Sequence, residues 1–402
     1  MMKSCFSDTG REPLSRPKFF LKTPQGPWTR VRASCWNDWH WQLRQRIASY
    51  EKLSGLMRLV PAEEEGIRTS GGRLAMSITP YFFNLIDPDN PACPIRRQVV
   101  PRTEETVETV SELSDPCGED EHSPVPGVVH RYGDRVLLLV TDRCATYCRH
   151  CTRSRMVSGA GGRTLETDMD RALDYIRGHR EIRDVLLSGG DPLVLSDGRL
   201  AFILNRLRAI KHVEFLRIGT RAPVVLPQRI TPALCAMLRR FHPLWISVHV
   251  NHPRELTAES RTALERLADA GIPLGSQSVL LAGVNDDAET LRELFEKLLI
   301  CRVRPYYLYQ CDLARGTSHL RVSVRRGIGI MDAIRGHTSG YAVPTYVIDA
   351  PGGGGKIPVG PNYIVAHDRR RILIRNRSGK VYEYPEIDPL VPRLERAGCG
   401  GG

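Results

Sequence analysis

The sequence predicts an α/β chain built on a full or partial TIM-like (βα) barrel, with a helical extension before it and a small β hairpin after it. Three observations carry this expectation. From about residue 122, short β-branched runs alternate with amphipathic stretches at a spacing of about 30 residues, as parallel βαβ units require. The chain has 402 residues and 41% hydrophobic content, enough to bury a large core without disulfide staples. Its 11 cysteines are an odd number scattered along the chain, the pattern of free thiols in a reducing cytoplasm.

Taken in order, residues 1–35 mix Pro, Arg and Ser without periodicity and are expected to form a poorly ordered or partner-packed arm. Trp36, Trp39, Leu43, Ile47 and Tyr50 recur at spacings of three and four, which predicts a helix to about Leu59 and opens a mainly helical region over 36–121. That region ends in an acidic run, 115–121, which reads as a surface loop. The barrel core is expected over 122–350. Its strands are placed at 136–140, 185–187, 214–218, 245–250, 274–280, 303–309 and 345–348, and its helices near 169–177, 199–210, 232–241, 258–270, 289–299 and 324–334. Thr231-Pro232 and Thr257 stand where helix N-caps belong. A barrel puts its chemistry at the C-terminal ends of the strands; an open doubly wound sheet is the alternative, because strand order cannot be read from the pattern. The last segment, 351–402, holds a Gly-rich stretch and a tail, 363–384, that alternates like a hairpin turning at Arg377-Ser378-Gly379.

The formal charge of +12 permits attraction to phosphate-bearing partners. Arg is spread along the chain with no Lys/Arg block, so the reading is a solvated basic surface and not a nucleic-acid site. No run approaches the roughly 20 apolar residues of a membrane span, and no secretory leader is evident.

Directly after the first strand lies Cys144-Ala145-Thr146-Tyr147-Cys148-Arg149-His150-Cys151, a Cys-x3-Cys-x2-Cys loop. Three thiolates can hold three corners of a four-iron cubane and leave one iron open to a small ligand. The alternatives are a zinc site completed by His150 or a distant residue, and incidental buried thiols; the second Cys-x2-Cys pair typical of structural zinc is missing. At the end of the last strand comes Asp349-Ala350-Pro351-Gly352-Gly353-Gly354-Gly355-Lys356. Four glycines let backbone approach a planar ligand closely, and a lysine there can form a Schiff base with pyridoxal phosphate. Ala350 and Ile357 depart from a Walker A loop, and a plain surface turn remains the other reading.

In this order, at the two ends of one βα array, the two motifs resemble the lysine 2,3-aminomutase family of radical S-adenosylmethionine (SAM) enzymes. The resemblance runs from about Trp36 to about Pro385 through Ser123-Pro124-Val125-Pro126-Gly127, His130-Arg131-Tyr132-Gly133-Asp134-Arg135, Leu187-Ser188-Gly189-Gly190-Asp191-Pro192, Arg221-Ala222-Pro223 and Tyr307-Leu308-Tyr309-Gln310-Cys311-Asp312. It implies a partial barrel of the radical SAM type. It implies that Cys144, Cys148 and Cys151 hold a [4Fe-4S] cluster whose open iron binds S-adenosyl-L-methionine. Lys356 would carry pyridoxal 5'-phosphate, and Arg131, Tyr132 and Arg135 would grip its phosphate. Ser188, Gly189, Gly190 and Asp191 would help bind the SAM amino group, with His249 and Gln277 as further cofactor contacts. Without the family match, Ser-Gly-Gly-Asp is an ordinary turn.

By the same resemblance, Arg153 pairs with the substrate carboxylate, while Asp312 and Asp349 hold a side-chain ammonium. Two carboxylates in one pocket repel unless a cation sits between them, and each charge pair at about 4 Å is worth on the order of 4 kcal/mol at an effective dielectric of 20. Glutamate is thereby rejected, whereas arginine would satisfy the pair as lysine does. The implied reaction moves an amino group from C2 to C3 of lysine to give β-lysine, after a 5'-deoxyadenosyl radical takes a hydrogen from C3. It needs a reductant protein such as a flavodoxin or ferredoxin, and the family implies a homo-oligomer. The rival classes are a radical enzyme acting on RNA or protein, which would leave Lys356 without a purpose, and a non-catalytic metal protein. One departure stands out: some family members have a zinc site that uses a cysteine where Asp287 stands here, and of the C-terminal cysteine cluster only Cys399 is present.

Overall fold

The computed structural model describes residues 20–69, 73–158, 168–376 and 378–386. Most of the N-terminal arm, together with Cys5, Cys399 and Arg377 of the expected tail turn, lies outside the described residues.

Nine strands form one sheet in strict chain order. They are β1 (Val128–Tyr132), β2 (Arg135–Thr141), β3 (Asp184–Gly189), β4 (Phe215–Thr220), β5 (Leu244–His249), β6 (Leu274–Leu280), β7 (Val303–Gln310), β8 (Thr345–Ala350) and β9 (Gly355–Pro358). Pairs from β2 to β8 are parallel, whereas β1 pairs with β2 and β9 with β8 antiparallel. The order never reverses, which overturns the doubly wound alternative, since that fold requires a switch point. The sheet ends at β1 and β9 without pairing them, so it is an incomplete barrel.

The helices that cover it follow from periodicity and caps. Helix Asp197–Arg208 buries Leu200, Ile203, Leu204 and Leu207, which recur at helical spacing, and Ser196 caps it. Each such side chain, fully buried, stabilises the fold by about 1.5–3 kcal/mol. Thr257 caps Ala258–Asp269 in a capping box with Ser260, and Asp287 caps Ala288–Ile300 by accepting from Thr290 N at 2.8 Å. Asp287, the departure noted from the family pattern, thus serves here as a helix cap.

Three local expectations need correction. The single helix expected over 36–59 is broken into Ala33–Trp36, Trp39–Arg44 and Tyr50–Ser54. Asp38 and Ser49 restart the helix by accepting from backbone N–H groups, and between them Ile47 pairs with Ile78 in a buried bridge. The tail is a separate three-stranded antiparallel sheet and not a hairpin: β10 (Ile364–His367), β11 (Arg371–Arg375) and β12 (Val381–Pro385). Asp368 supplies the extra turn by accepting from the N–H groups of Arg370 and Arg371. Strands β1 and β9 were not expected at all, being short edge strands that carry His130, Arg131 and Lys356 in place of an apolar alternation.

Candidate active site

At the C-terminal end of β2 the cysteine loop is held from below by the N-terminal region. Arg149 is buried and pairs with Glu105, and it also donates to the carbonyls of Leu74 and Ala75. Tyr147 N donates to Ser77 O at 3.0 Å, and Arg46 donates to Cys144 O at 3.0 Å. Cys144, Cys148 and Cys151 are half-buried free thiols. Burial, and then the neighbouring Cys148 thiol, push Cys151 up to about 11, and burial also raises Cys144. Two thiols that resist ionisation alone, beside a third, suit a cationic metal centre, which reverses that penalty.

His150 and His249 stack with ring centres 5.3 Å apart, and their Nε2 atoms lie 3.1 Å from each other. Burial, and then the Arg221 guanidinium, push His150 down to about 3, and His249 also falls. His150, the candidate to complete a zinc site, therefore meets a second neutral imidazole. One ligand atom each of Cys148, His150 and His249 lies within 4.8 Å of the others.

The Ser188–Asp191 turn at the end of β3 lies flush on the cysteine loop. Gly189 has φ +115°, and an added Cβ would stand 2.2 Å from Thr141 O; at Gly190 it would stand 2.3 Å from Arg143 O. Glycine is required at both positions because backbone meets backbone there. Asp191 is buried, and its carboxylate accepts from Leu193 N, Thr220 Oγ1, Arg221 N and Ala222 N at 2.7–3.0 Å. Its acceptor sites are filled by the chain, so it shapes the turn. His249 and Gln277 are register partners on β5 and β6 facing the same space.

Lys356 stands on a strand and not in a flexible loop. β9 returns antiparallel to β8 with Lys356 opposite Asp349, and Lys356 Nζ donates to Asp349 Oδ2 at 3.0 Å. Its backbone N donates to Tyr132 Oη at 3.2 Å. Arg131 donates to Asp349 Oδ1 at 3.0 Å and to Tyr132 Oη, while Arg135 stacks 4.0 Å from the Tyr132 ring centre and pairs with Asp134. Burial alone would raise the Tyr132 phenol, but Lys356 and Arg131 hold it below its ordinary value. Asp312 follows β7, and burial, and then Asp349, push its carboxyl up to about 7.

The expected site residues line one cavity of about 670 Å³, a size typical of small-molecule sites. The cysteine triad, Ser188–Asp191, His249 and Gln277 share it with Arg131, Tyr132, Arg135, Arg153, Asp312, Asp349 and Lys356, so every residue singled out from the sequence is brought together. Gly219 and Ser247 also line it, and such small residues leave the barrel centre open where a closed barrel would be packed. At the start of the strands, Arg217 pairs with Asp184 at 2.7 Å.

Sequence reasoning missed Glu119. The acidic run taken for a surface loop folds over the cavity, and Glu119, 7% exposed, accepts from Arg153 Nε and Nη2 at 2.7–3.0 Å. Burial would raise this carboxyl, yet Arg153 holds it below the ordinary range. Arg153 also donates to Ser188 Oγ, so the guanidinium expected to meet a substrate carboxylate already has a partner acid. Nothing in an acidic run marks one member as buried. Gly118 and Gly352 meet through backbone in the same region, for a Cβ on Gly118 would stand 2.8 Å from Gly352 C.

The chain is similar in sequence to known proteins. The family described as Lysine-2,3-aminomutase matches residues 331–396, and the Radical SAM superfamily matches residues 138–295. L-lysine 2,3-aminomutase of Acetoanaerobium sticklandii is 52% identical over 373 residues, covering 93% of this chain and 90% of that protein. Its namesake in Clostridium subterminale is 53% identical over 366 residues, covering 91% and 88%. Glutamate 2,3-aminomutase of Clostridioides difficile is 43% identical over 356 residues, covering 89% and 84%.

Proposed function

The chain belongs to the lysine 2,3-aminomutase family of radical SAM isomerases, and from that premise we propose that it interconverts L-α-lysine and L-β-lysine with the help of pyridoxal phosphate. The observation that carries this reading is the shared cavity, which joins a three-thiol loop to a lysine and two acids. When bound, the cluster and S-adenosylmethionine supply a carbon radical, and pyridoxal phosphate supplies the conjugated system that carries the migrating nitrogen.

The chain's own residues do the positioning. Cys144, Cys148 and Cys151 would hold the cluster and leave one iron open. Lys356, fixed on β9, presents its amine to the cavity, while Arg131, Tyr132 and Arg135 offer cationic and hydroxyl donors on the wall beside it. Asp312 and Asp349 favour a cationic side chain and repel the second carboxylate of glutamate. Arg153, oriented by Glu119, would take the α-carboxylate. Holding both ends of the substrate would orient its C2 and C3 within the cavity.

The test is anaerobic reconstitution, followed by separate incubations with L-lysine, L-arginine and L-glutamate and mass spectrometry of the products. β-Lysine is expected as the major product, and arginine or glutamate turning over faster than lysine would sink the assignment.

A reaction begun by one electron calls for a low-potential donor, which we take to be a flavodoxin or ferredoxin. The described cysteines are free, in keeping with a reducing cytoplasm, and no described helix is long and apolar enough to cross a membrane. We further propose that copies of the chain associate through the tail sheet, where Ile364, Val381 and Tyr384 are 48%, 46% and 60% exposed. Sedimentation should return a multiple of the chain mass, reduced by Tyr384→Asp; a monomer would refute the idea.

A further inference from the structure

Behind the cysteine loop lies a buried polar network that the reaction as described leaves unused. Arg221 follows β4 and is 6% exposed. Its Nη1 donates to Cys148 Sγ, and its Nη2 donates to Gln98 Oε1 at 2.7 Å and Glu255 Oε2 at 2.9 Å. Its backbone N donates to Asp191 Oδ2, so one residue ties the Ser-Gly-Gly-Asp turn to the cysteine loop. Glu255 is fully buried, and its other oxygen already accepts from Gln98 Nε2, Asn251 N and His252 N at 3.0–3.1 Å.

A buried arginine needs compensation, and Glu255 provides it. A purely structural pair would turn its remaining N–H groups to carbonyls, as Arg149 does toward Leu74 and Ala75. Arg221 instead directs one to the sulfur of an expected cluster ligand. Charge and hydrogen bonds at ligand sulfurs are among the levers that set the potential of an iron–sulfur cluster.

We propose that Arg221 is a positioning residue that raises the reduction potential of the cluster through the Cys148 sulfur, with Glu255 as an opposing charge that limits the effect. This rests on the reading of Cys148 as a cluster ligand. In the step concerned, one electron passes from an external one-electron donor to the oxidised cluster, which gains one negative charge. No proton moves, and the guanidinium stays charged. A cation at the ligand sulfur stabilises the added electron, and an anion one residue further away destabilises it.

The two charges therefore have opposite signatures. EPR-monitored redox titration of reconstituted protein without substrate should show the reduced-to-oxidised ratio of Arg221→Gln lowered about tenfold at a fixed potential, which is 59 mV for one electron. Glu255→Gln should shift the ratio upward, and Arg221→Lys should stay near wild type. An unchanged potential in Arg221→Gln with full iron and sulfide content overturns the proposal, as do shifts of the same sign in Arg221→Gln and Glu255→Gln. If Arg221→Gln fails to hold a cluster, Glu255→Gln decides: an upward shift supports the role, and no shift or a downward one refutes it. A full four-iron cluster in Cys148→Ser would overturn the ligand reading itself, and the proposal with it.

Discussion

Replacing Lys356 with alanine is expected to abolish β-lysine formation while leaving S-adenosylmethionine cleavage in place. The two groups stand on different elements: the cysteine loop follows β2 and is held by the N-terminal region, whereas Lys356 stands on β9. Alanine removes the amine without disturbing the β8–β9 ladder, since the backbone bond from Lys356 N to Tyr132 Oη persists. Losing an anchoring nucleophile costs on the order of 10³-fold or more. The yellow absorbance of a lysine-bound pyridoxal should vanish, while reductant and SAM still give 5'-deoxyadenosine. A variant that keeps both its colour and its product would show that the cofactor is anchored elsewhere.

The second large effect is expected at Asp312. Truncating one member of a buried charge pair costs about 2–5 kcal/mol, on the order of 10²-fold in kcat/KM. Asp312→Asn should lose this much for lysine, mostly through KM. The pH dependence gives an independent check, because burial, and then Asp349, push this carboxyl up to about 7. Below that pH, Asp312 holds a proton and offers no charge to an ammonium, so kcat/KM of the wild type should rise as pH climbs through about 7. Stability moves the other way. With its folded pKa above the ordinary 3.8, this group contributes most when protonated, and that contribution is lost as pH rises toward about 7. A variant with the same pH profile as the wild type would remove Asp312 from substrate recognition.

The parallel strands were legible because short strand-like stretches alternate regularly with capped amphipathic helices; β6 (Leu274–Leu280) and helix Val324–Ile334 match the expected spans. The edge strands β1 and β9 were not legible, since their residues are chosen for the cavity they line and not for an apolar face. The site residues were legible through motif spacing and family resemblance, but their states were not. Asp191 saturated by four donors, Arg153 already paired with Glu119, and Arg221 turned to a sulfur all depend on partners tens of residues away in sequence.

Because Gly118 meets Gly352 through bare backbone, the flap that bears Glu119 and the turn that leads to Lys356 form a single mechanical seam. A methyl group at position 118 would pry that seam open, tilting the guanidinium fork at one end and the tethering amine at the other. In the proposed reading, the spacing between Arg153 and Lys356 therefore depends on the side chain that position 118 lacks.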